Sequence, residues 1–432
     1  MAFGEWRRTG HLDLEAVEML VRDAMHHAGA AALSRLLSMP VEHAAETPCA
    51  CGQAARYHDR RSKQVLSVVG PLAIQRAYYV CPHCHQGQSP LDRTLDVVGT
   101  EYSPGVRRMI AAVGSEASFQ QGHEQMHLLA GLDVTTKAVE RHAEAIGADI
   151  AQREQHNIDG ALQLQFPQIL GSAVNILYIE FDGTQVPVVR AELQGHSGRI
   201  EGQPPRTREM KLGCVFTQTT TDPKGRPIRD PASTTYTGAI ETAELFGRRI
   251  YTEAWARGWI RAKKKVVLGD GAEWIWNIAD LHFVGAIQIV DIWHARQHLW
   301  DVAAQLFPSD DLQRKRWAKK MIKQLNAGRV EMLVTQLRNY PTRKIELREM
   351  LRIEAQYFQR NQQRMRYPRF RKQGLFFGSG VIEAGCKTVV GARLKQSGMF
   401  WTVRGANAIV ALRSTCLSRK FEDYWESRSK VA

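Results

Sequence analysis

The sequence predicts an α/β protein with a helical, cysteine-bearing stretch ahead of the α/β layer. Three observations lead there. From Ile176 onward, short apolar runs and helical periodicity alternate in the order strands, helix, strand, helix, strand. Two close cysteine pairs bracket a hairpin-like stretch near the N-terminus. Residues 295–372 then read as mostly helical and strongly basic.

The bulk numbers set the frame. At 432 residues the chain has room for two to four domains. Hydrophobic residues at 44% and charged residues at 24% exclude wholesale disorder. No run of 18 apolar residues argues for a membrane span, and MAFGEWRRTGHLDLEA lacks a signal core, so a cytoplasmic protein is expected. Seven cysteines are too few for a disulfide scaffold; four in close pairs point to metal in a reducing compartment. The 58 Lys+Arg against 44 Asp+Glu leave +14, a balance that favours a polyanion such as nucleic acid.

Along the chain, Leu12, Val17, Leu20, Val21 and Met25, then Leu33, Leu36 and Leu37, can share one helical face. Pro40 and Pro48 end that pattern. VLSVVG and LAIQRAYYV read as strands around a Gly70-Pro71 turn. Residues 103–158 look helical, and a Gly- and Gln-rich loop follows. ILYIEF, KLGCVFTQTT and the region around TTYTG are strand candidates. ETAELFGRRIYTEAWARG is an amphipathic helix, KKKVVLGDG a buried strand, EWIWNIADLHF a helix and AIQIVDIW the next strand candidate. The last clear helix begins near Ser379 and carries Glu383.

Cys49-Ala50-Cys51-Gly52 and Cys81-Pro82-His83-Cys84 form two knuckles separated by 29 residues. Two turns at the ends of paired strands can supply the four soft tetrahedral ligands that zinc takes. Cys49, Cys51, Cys81 and Cys84 are the expected set, structural in role because four protein ligands leave no place for water. The first pair is spaced C-x-C rather than C-x-x-C, so His83, His85 and His58 compete as ligands. Further on, SFQQGHEQMHLLAGLDVTTKAVERHAEAIG reads as helix, turn at Gly131, helix, with Thr135 or Thr136 as cap. A second helix of this kind can enter a DNA major groove, with Lys137 and Arg141 facing phosphates or bases. An ordinary helical hairpin has the same pattern.

Three acids stand in telling places. Asp182 and Asp270 each follow a hydrophobic strand and precede a glycine. A buried strand delivers a carboxylate with little freedom, which suits a hard cation. Asp-Gly after a strand is also a common turn. Glu383 is the one acid among nine basic residues from Arg360 to Lys395. Three such carboxylates can hold two divalent ions and promote phosphodiester displacement. Glu180, on the same strand face as Asp182, competes for the first position.

Together CACG with YYVCPHC, then SPLDRTLDV, FDGTQVP, VVLGDGAEWIWN, IVDIWHARQHLW and GSGVIEAGCKTVVGARLKQSGMFW resemble bacterial insertion-sequence transposases of the DDE class. The resemblance is to the zinc-ribbon-bearing ISKra type of the Mutator-like lineage. It runs from about Thr47 to the C-terminus. It implies a ribonuclease H-like catalytic domain with a helical insertion, for which the 112 residues between Asp270 and Glu383 leave room. It makes Asp182, Asp270 and Glu383 the catalytic carboxylates, holding Mg2+ or Mn2+. It also implies double-stranded DNA as partner, as element ends and as target, and at least a dimer on DNA at the bacterial nucleoid.

Asp291-Ile-Trp-His294 resembles the Asp-x-x-His signature of that lineage and puts Asp291 and His294 near the active site. By spacing alone, Asp291, His294 and His298 share a helical face. They can contact a phosphate, bind a second metal or satisfy one another in the core. His298 is expected to pack or to support its neighbours. Trp274, Trp276, Trp293 and Trp300 fit core at helical spacing, although aromatics also stack on flipped bases. Phe400-Trp401 invites the same two readings.

The stretch from Arg360 to Lys372 interleaves Tyr367 and Phe370 with cations, and the expected DNA contacts are Arg364, Arg366, Arg369, Arg371, Lys372, Lys387, Arg393 and Lys395. The organisation is then 1–46, an N-terminal helical segment; 47–95, a zinc ribbon; and 96–160, a helical, helix-turn-helix-like DNA-binding domain. Residues 170–300 start the catalytic domain, 301–375 are a basic helical insertion, and 376–432 return to the catalytic domain with the glutamate helix. The expected activity is metal-dependent DNA cleavage and strand transfer. The competing readings are a non-catalytic zinc-ribbon and helix-turn-helix regulator derived from a transposase, and a nuclease that hydrolyses without joining.

Overall fold

The computed structural model describes residues 13–39, 43–166, 174–193 and 206–429. Leu12, and part of the Gly- and Gln-rich loop, lie outside the described residues. The chain divides into two units, 1–146 with 421–432 and 147–420.

Unit one opens with α1 (Leu14–Leu37), capped by Asp13, whose side chain accepts from the Ala16 N–H at 3.2 Å. β1 (Glu46–Pro48), β2 (Ala54–Ser67), β3 (Gly70–Val80) and β4 (Gly87–Gln88) make a sequential antiparallel sheet. The chain reverses at Val68-Val69, just before the expected Gly70-Pro71 turn, and Gly70 enters β3 at φ +107°. Burial alternates along β3, so Leu72 and Ile74 pack with Val65, Val97 and Ala30 of α1.

Then come α2 (Pro90–Thr94), α3 (Pro104–Glu116), α4 (Phe119–Ala130) and α5 (Thr136–Leu162). A Ser118/Gln121 capping box starts α4, and Gly131 at φ +65° ends it. Thr135 Oγ1 accepts from the Ala138 N–H at 3.2 Å as α5 begins. Val106, Ile110, Met126, Leu132, Val134 and Val139 form the core of this helical part. The division between units falls inside α5, within the segment read as 96–160. The closing helix Phe421–Ser429 counts with unit one, where Arg428 Nη2 meets Asp96 Oδ2 at 3.0 Å.

Unit two holds a mixed sheet. Its strands are β5 (Ile176–Pro187), β6 (Thr207–Gln218), β9 (Thr235–Ala239), β10 (Lys264–Gly269) and β11 (Ile287–Val290), in the order β11-β10-β5-β6-β9. A small hairpin, β7 (Thr220–Thr221) with β8 (Pro227–Ile228), lies between β6 and β9. β5, β6 and β9 are antiparallel neighbours; β10 is parallel to β5, and β11 to β10. Parallel pairing needs a crossover. α6 (Ala243–Ala256) leads into β10, and α7 (Glu273–His282) joins β10 to β11.

Beyond β11 run α8 (Ile292–Leu306), α9 (Asp311–Asn326), α10 (Val330–Arg338), α11 (Ile345–Arg360) and α12 (Tyr367–Lys372). α13 (Gly380–Gly385) continues through a π-helical turn, Cys386–Gly391, into α14 (Ala392–Leu394). Two helices follow beyond the last one the sequence predicts: α15 (Val403–Leu417) and α16 (Phe421–Ser429). Among the described residues, no helix is long and apolar enough to cross a membrane.

Candidate active site

Asp182 lies within β5, and Asp270 directly follows β10. In the β5/β10 register Leu268 stands opposite Glu180, so two residues further on Asp270 comes level with Asp182. Neighbouring strands are about 4.8 Å apart. Each aspartate is held by its own backbone: Asp182 Oδ1 accepts from the Gly183 N–H at 2.7 Å, and Asp270 Oδ1 from the Ala272 N–H at 2.8 Å. Glu383 arrives from α13, one turn after Ser379, whose Oγ is 3.0 Å from Glu383 Oε1.

The acids sense one another. Burial raises the Asp182 carboxyl above its usual range, and the charges of Asp270 and Glu383 push it further; the Gly183 N–H and His294 oppose the rise. The Nδ1 of His294 is buried without a hydrogen-bond partner. Like charges crowded around a half-buried carboxylate suit a cation, and carboxylate oxygens suit a hard one. Lys395 Nζ donates to Thr184 Oγ1 at 2.5 Å, and Cys386 Sγ lies 3.9 Å from Asp182 Oδ2. Burial first, then Asp182, pushes the Cys386 thiol up to about 12.

Asp291 is fully buried and its carboxylate is occupied. Oδ1 caps α8 by accepting from the Trp293 N–H, and Oδ2 accepts from the Ser379 N–H at 3.0 Å and from the Ser379 hydroxyl. It therefore does not face a substrate, as its expected catalytic role would require. Glu180 is fully buried too, with Oε2 accepting from the Ile382 N–H at 2.9 Å. Burial raises it to about 8 despite that hydrogen bond. His298 packs as expected: its ring stacks on Tyr357 at 4.0 Å and its Nδ1 meets Glu354 at 2.8 Å. Tyr357 in turn donates to the Asp270 carbonyl at 3.0 Å, so α11 braces the second aspartate. Ser379, Tyr357 and the π-turn beside Glu383 have no mark in the sequence. Such turns recur at functional sites.

The expected DNA cations separate by environment. Lys137, Arg141, Arg369, Arg371, Lys372, Lys387 and Lys395 are exposed. Lys137 pairs with Glu140 at 3.0 Å, and Arg371 Nη1 donates to the Asn326 carbonyl at 3.0 Å. Arg364 is half-buried over Trp276 and bonded to Gln288, while Arg366 pairs with Glu331. Arg393 is fully buried near Trp401, so it cannot reach a DNA backbone. Trp276 and Trp401 are core, whereas Trp293 is 63% exposed with Arg296 over its ring. Phe400 is 49% exposed.

In unit one the cysteines converge. The sulfurs of Cys49, Cys51, Cys81 and Cys84 all lie within 4.8 Å of one another. Cys49–Cys84 and Cys51–Cys81 are 3.5 and 3.6 Å apart. A tetrahedron with ligands about 2.3 Å from its centre has edges of roughly 3.8 Å, so the set fits zinc. The N–H groups of Cys84 and His83 pull the Cys81 thiol down to about 6. Neither His83, His85 nor His58 joins the group. Among the described residues no other set of three or more His, Cys, Asp or Glu side chains is so tightly drawn, Asp182, Asp270 and Glu383 included. A pair of ions about 4 Å apart spreads its ligands over roughly 8 Å.

No family model matches the chain, and no curated protein matches it by sequence. Among solved structures it is similar to a chain of the Drosophila P element transposase strand transfer complex. The identity is 11% and the TM-score 0.24, covering 72% of this chain and 79% of that one. A likeness this slight transfers neither fold nor function.

Proposed function

We propose that the chain is a DDE-class DNA transposase that binds the ends of its own mobile element, cuts them and joins them to target DNA. One observation carries the reading: Asp182 on β5 and Asp270 after β10 come level on neighbouring parallel strands, and α13, which carries Glu383, is tied to β5 by the Ile382 N–H bond to Glu180 at 2.9 Å. Further support comes from three antiparallel strands followed by two parallel ones, with the first strand central, which suits a ribonuclease H-like layer. The net charge of +14 and the exposed cations suit a DNA partner. The four-cysteine cluster is a structural zinc site. On DNA the chain works as at least a dimer, in the bacterial nucleoid, and belongs with the zinc-ribbon-bearing ISKra type.

Asp182, Asp270 and Glu383 would hold Mg2+ or Mn2+. When bound, such ions activate a water or 3′-hydroxyl and stabilise the leaving oxygen. The chain orients its carboxylates through Gly183, Ala272 and Ser379 and braces Asp270 through Tyr357. His294 lies close enough to Asp182 to oppose the rise of its carboxyl, and its Nδ1 is buried without a hydrogen-bond partner.

The test uses duplex DNA carrying the sequences that flank the chain's own coding segment. With Mg2+ the wild type cuts and joins it. Asp270→Ala and Glu383→Gln lose at least about a thousandfold in cleavage rate, several kcal/mol of barrier, while binding DNA as before. Parallel loss of binding and cleavage would remove the catalytic assignment. Binding without any cleavage by the wild type would establish the regulator, and cleavage without joined product the hydrolytic nuclease.

A further inference from the structure

Glu383 reaches the site on the first turn of a short helix, and that turn is anchored by two buried acids. Glu180 accepts from the Ile382 N–H at 2.9 Å, which ties α13 to β5. Asp291 accepts from the Ser379 N–H at 3.0 Å and from the Trp293 N–H, which ties the start of α13 to the start of α8. The Ile292 N–H also donates to the Phe377 carbonyl at 3.0 Å. The two helices so joined carry Glu383 and His294. Ser379 is buried at 3% exposure, and its Oγ touches Asp291 Oδ2 on one side and Glu383 Oε1, at 3.0 Å, on the other.

A hydroxyl has one proton, so Ser379 cannot donate to both carboxylates at once. Asp291 keeps its two N–H donors whichever way the hydroxyl turns. Glu383 is half-buried, and the Ser379 hydroxyl donates to its Oε1. Outer partners of this kind orient a ligating carboxylate, and their removal typically weakens metal binding about 10–100-fold.

Resting on the active-site reading above, we infer that Ser379, held by Asp291, is the positioning residue that aims Glu383 at the divalent cation. Asp291 thereby works as a clamp between two helices and not as a ligand. The role is separable from folding, because Ser379→Ala leaves both N–H bonds to Asp291 in place.

The experiment measures Mn2+ binding through the paramagnetic resonance signal of free Mn2+. It compares the full-length wild type, Ser379→Ala and Ser379→Thr, and follows cleavage against Mg2+ concentration in parallel. Ser379→Ala should bind Mn2+ about 10–100-fold more weakly. Its cleavage should return at raised Mg2+, and its thermal midpoint should match the wild type. Ser379→Thr, which keeps the hydroxyl, should bind nearly as the wild type does. Wild-type Mn2+ affinity in Ser379→Ala would overturn the inference while leaving the active site intact. A lowered thermal midpoint with unchanged affinity would also overturn it, leaving Ser379 merely structural. A wild type that neither binds Mn2+ at this site nor cuts would overturn the active-site reading, and the inference with it.

Discussion

Gly271 carries more of the site than its size suggests. It sits at φ +105°, and a Cβ there would meet Tyr357 Oη at 2.6 Å. Tyr357 is the residue that donates to the Asp270 carbonyl. Any side chain at 271 therefore strains the backbone and pushes away the brace of the neighbouring aspartate. Gly271→Ala should cost about 1–3 kcal/mol of stability in denaturant unfolding. It should also lower cleavage beyond what the stability loss explains. Unchanged stability would mean that Tyr357 yields freely and braces nothing. At this scale the sequence is legible where chemistry coincides with a strand tip, as at Asp182 and Asp270. It is silent on Ser379, because a serine beside Asp291 and Glu383 in space is 88 residues from the first along the chain. Arg393 is misread for a related reason: membership of a basic stretch says nothing of which way a helix turns its residues, and this one turns inward.

Elements differ in how plainly they announce themselves. In unit two, β5 and β10 are buried apolar runs and are readable at once. α15 is buried from Gly405 to Thr415 on nearly all sides, so it shows no polar stripe and no amphipathic period to find. Of the long hairpin of β2 and β3, the sequence shows β3 and the end of β2 from Val65, while the mostly exposed, charged stretch from Ala54 to Gln64 carries no apolar run to read; the two ends of the hairpin are held differently. At the turn end Val65, Leu72 and Ile74 pack against α1. At the open end only a small cluster, Ala55, Tyr79 and Cys81, supports the four cysteines. Removing zinc should therefore loosen the cysteine end first, while the turn end stays ordered. Hydrogen exchange before and after strong chelation should show protection lost around Cys49–Ala55 and Tyr79–Gln88, and kept at Leu72 and Ile74. Unaltered exchange and unaltered cysteine reactivity would mean that the cluster holds no structural ion.

For the molecule as a whole, net charge is the property readable from composition, and burial decides how much of it can act. The +14 counts every cation equally. The structure does not: Arg366 is paired with Glu331, Arg364 lies half-buried on Trp276, and Arg393 is enclosed, whereas Arg369, Arg371 and Lys372 are exposed along α12. Each phosphate neutralised by an exposed cation releases counterions and steepens the salt dependence of DNA binding by about 0.9 in the log–log slope. Replacing Arg369, Arg371 and Lys372 together by alanine should flatten that slope by roughly 2 to 3. Arg366→Ala should leave the slope nearly unchanged, since its charge is already met by Glu331, and its measurable effect should fall on stability. Both slopes come from titrating one duplex at several salt concentrations. If the triple variant keeps the wild-type slope, α12 does not touch the DNA backbone. The basic stretch would then serve solubility, and the phosphate contacts would have to be sought among Lys387, Lys395 and the exposed cations of unit one.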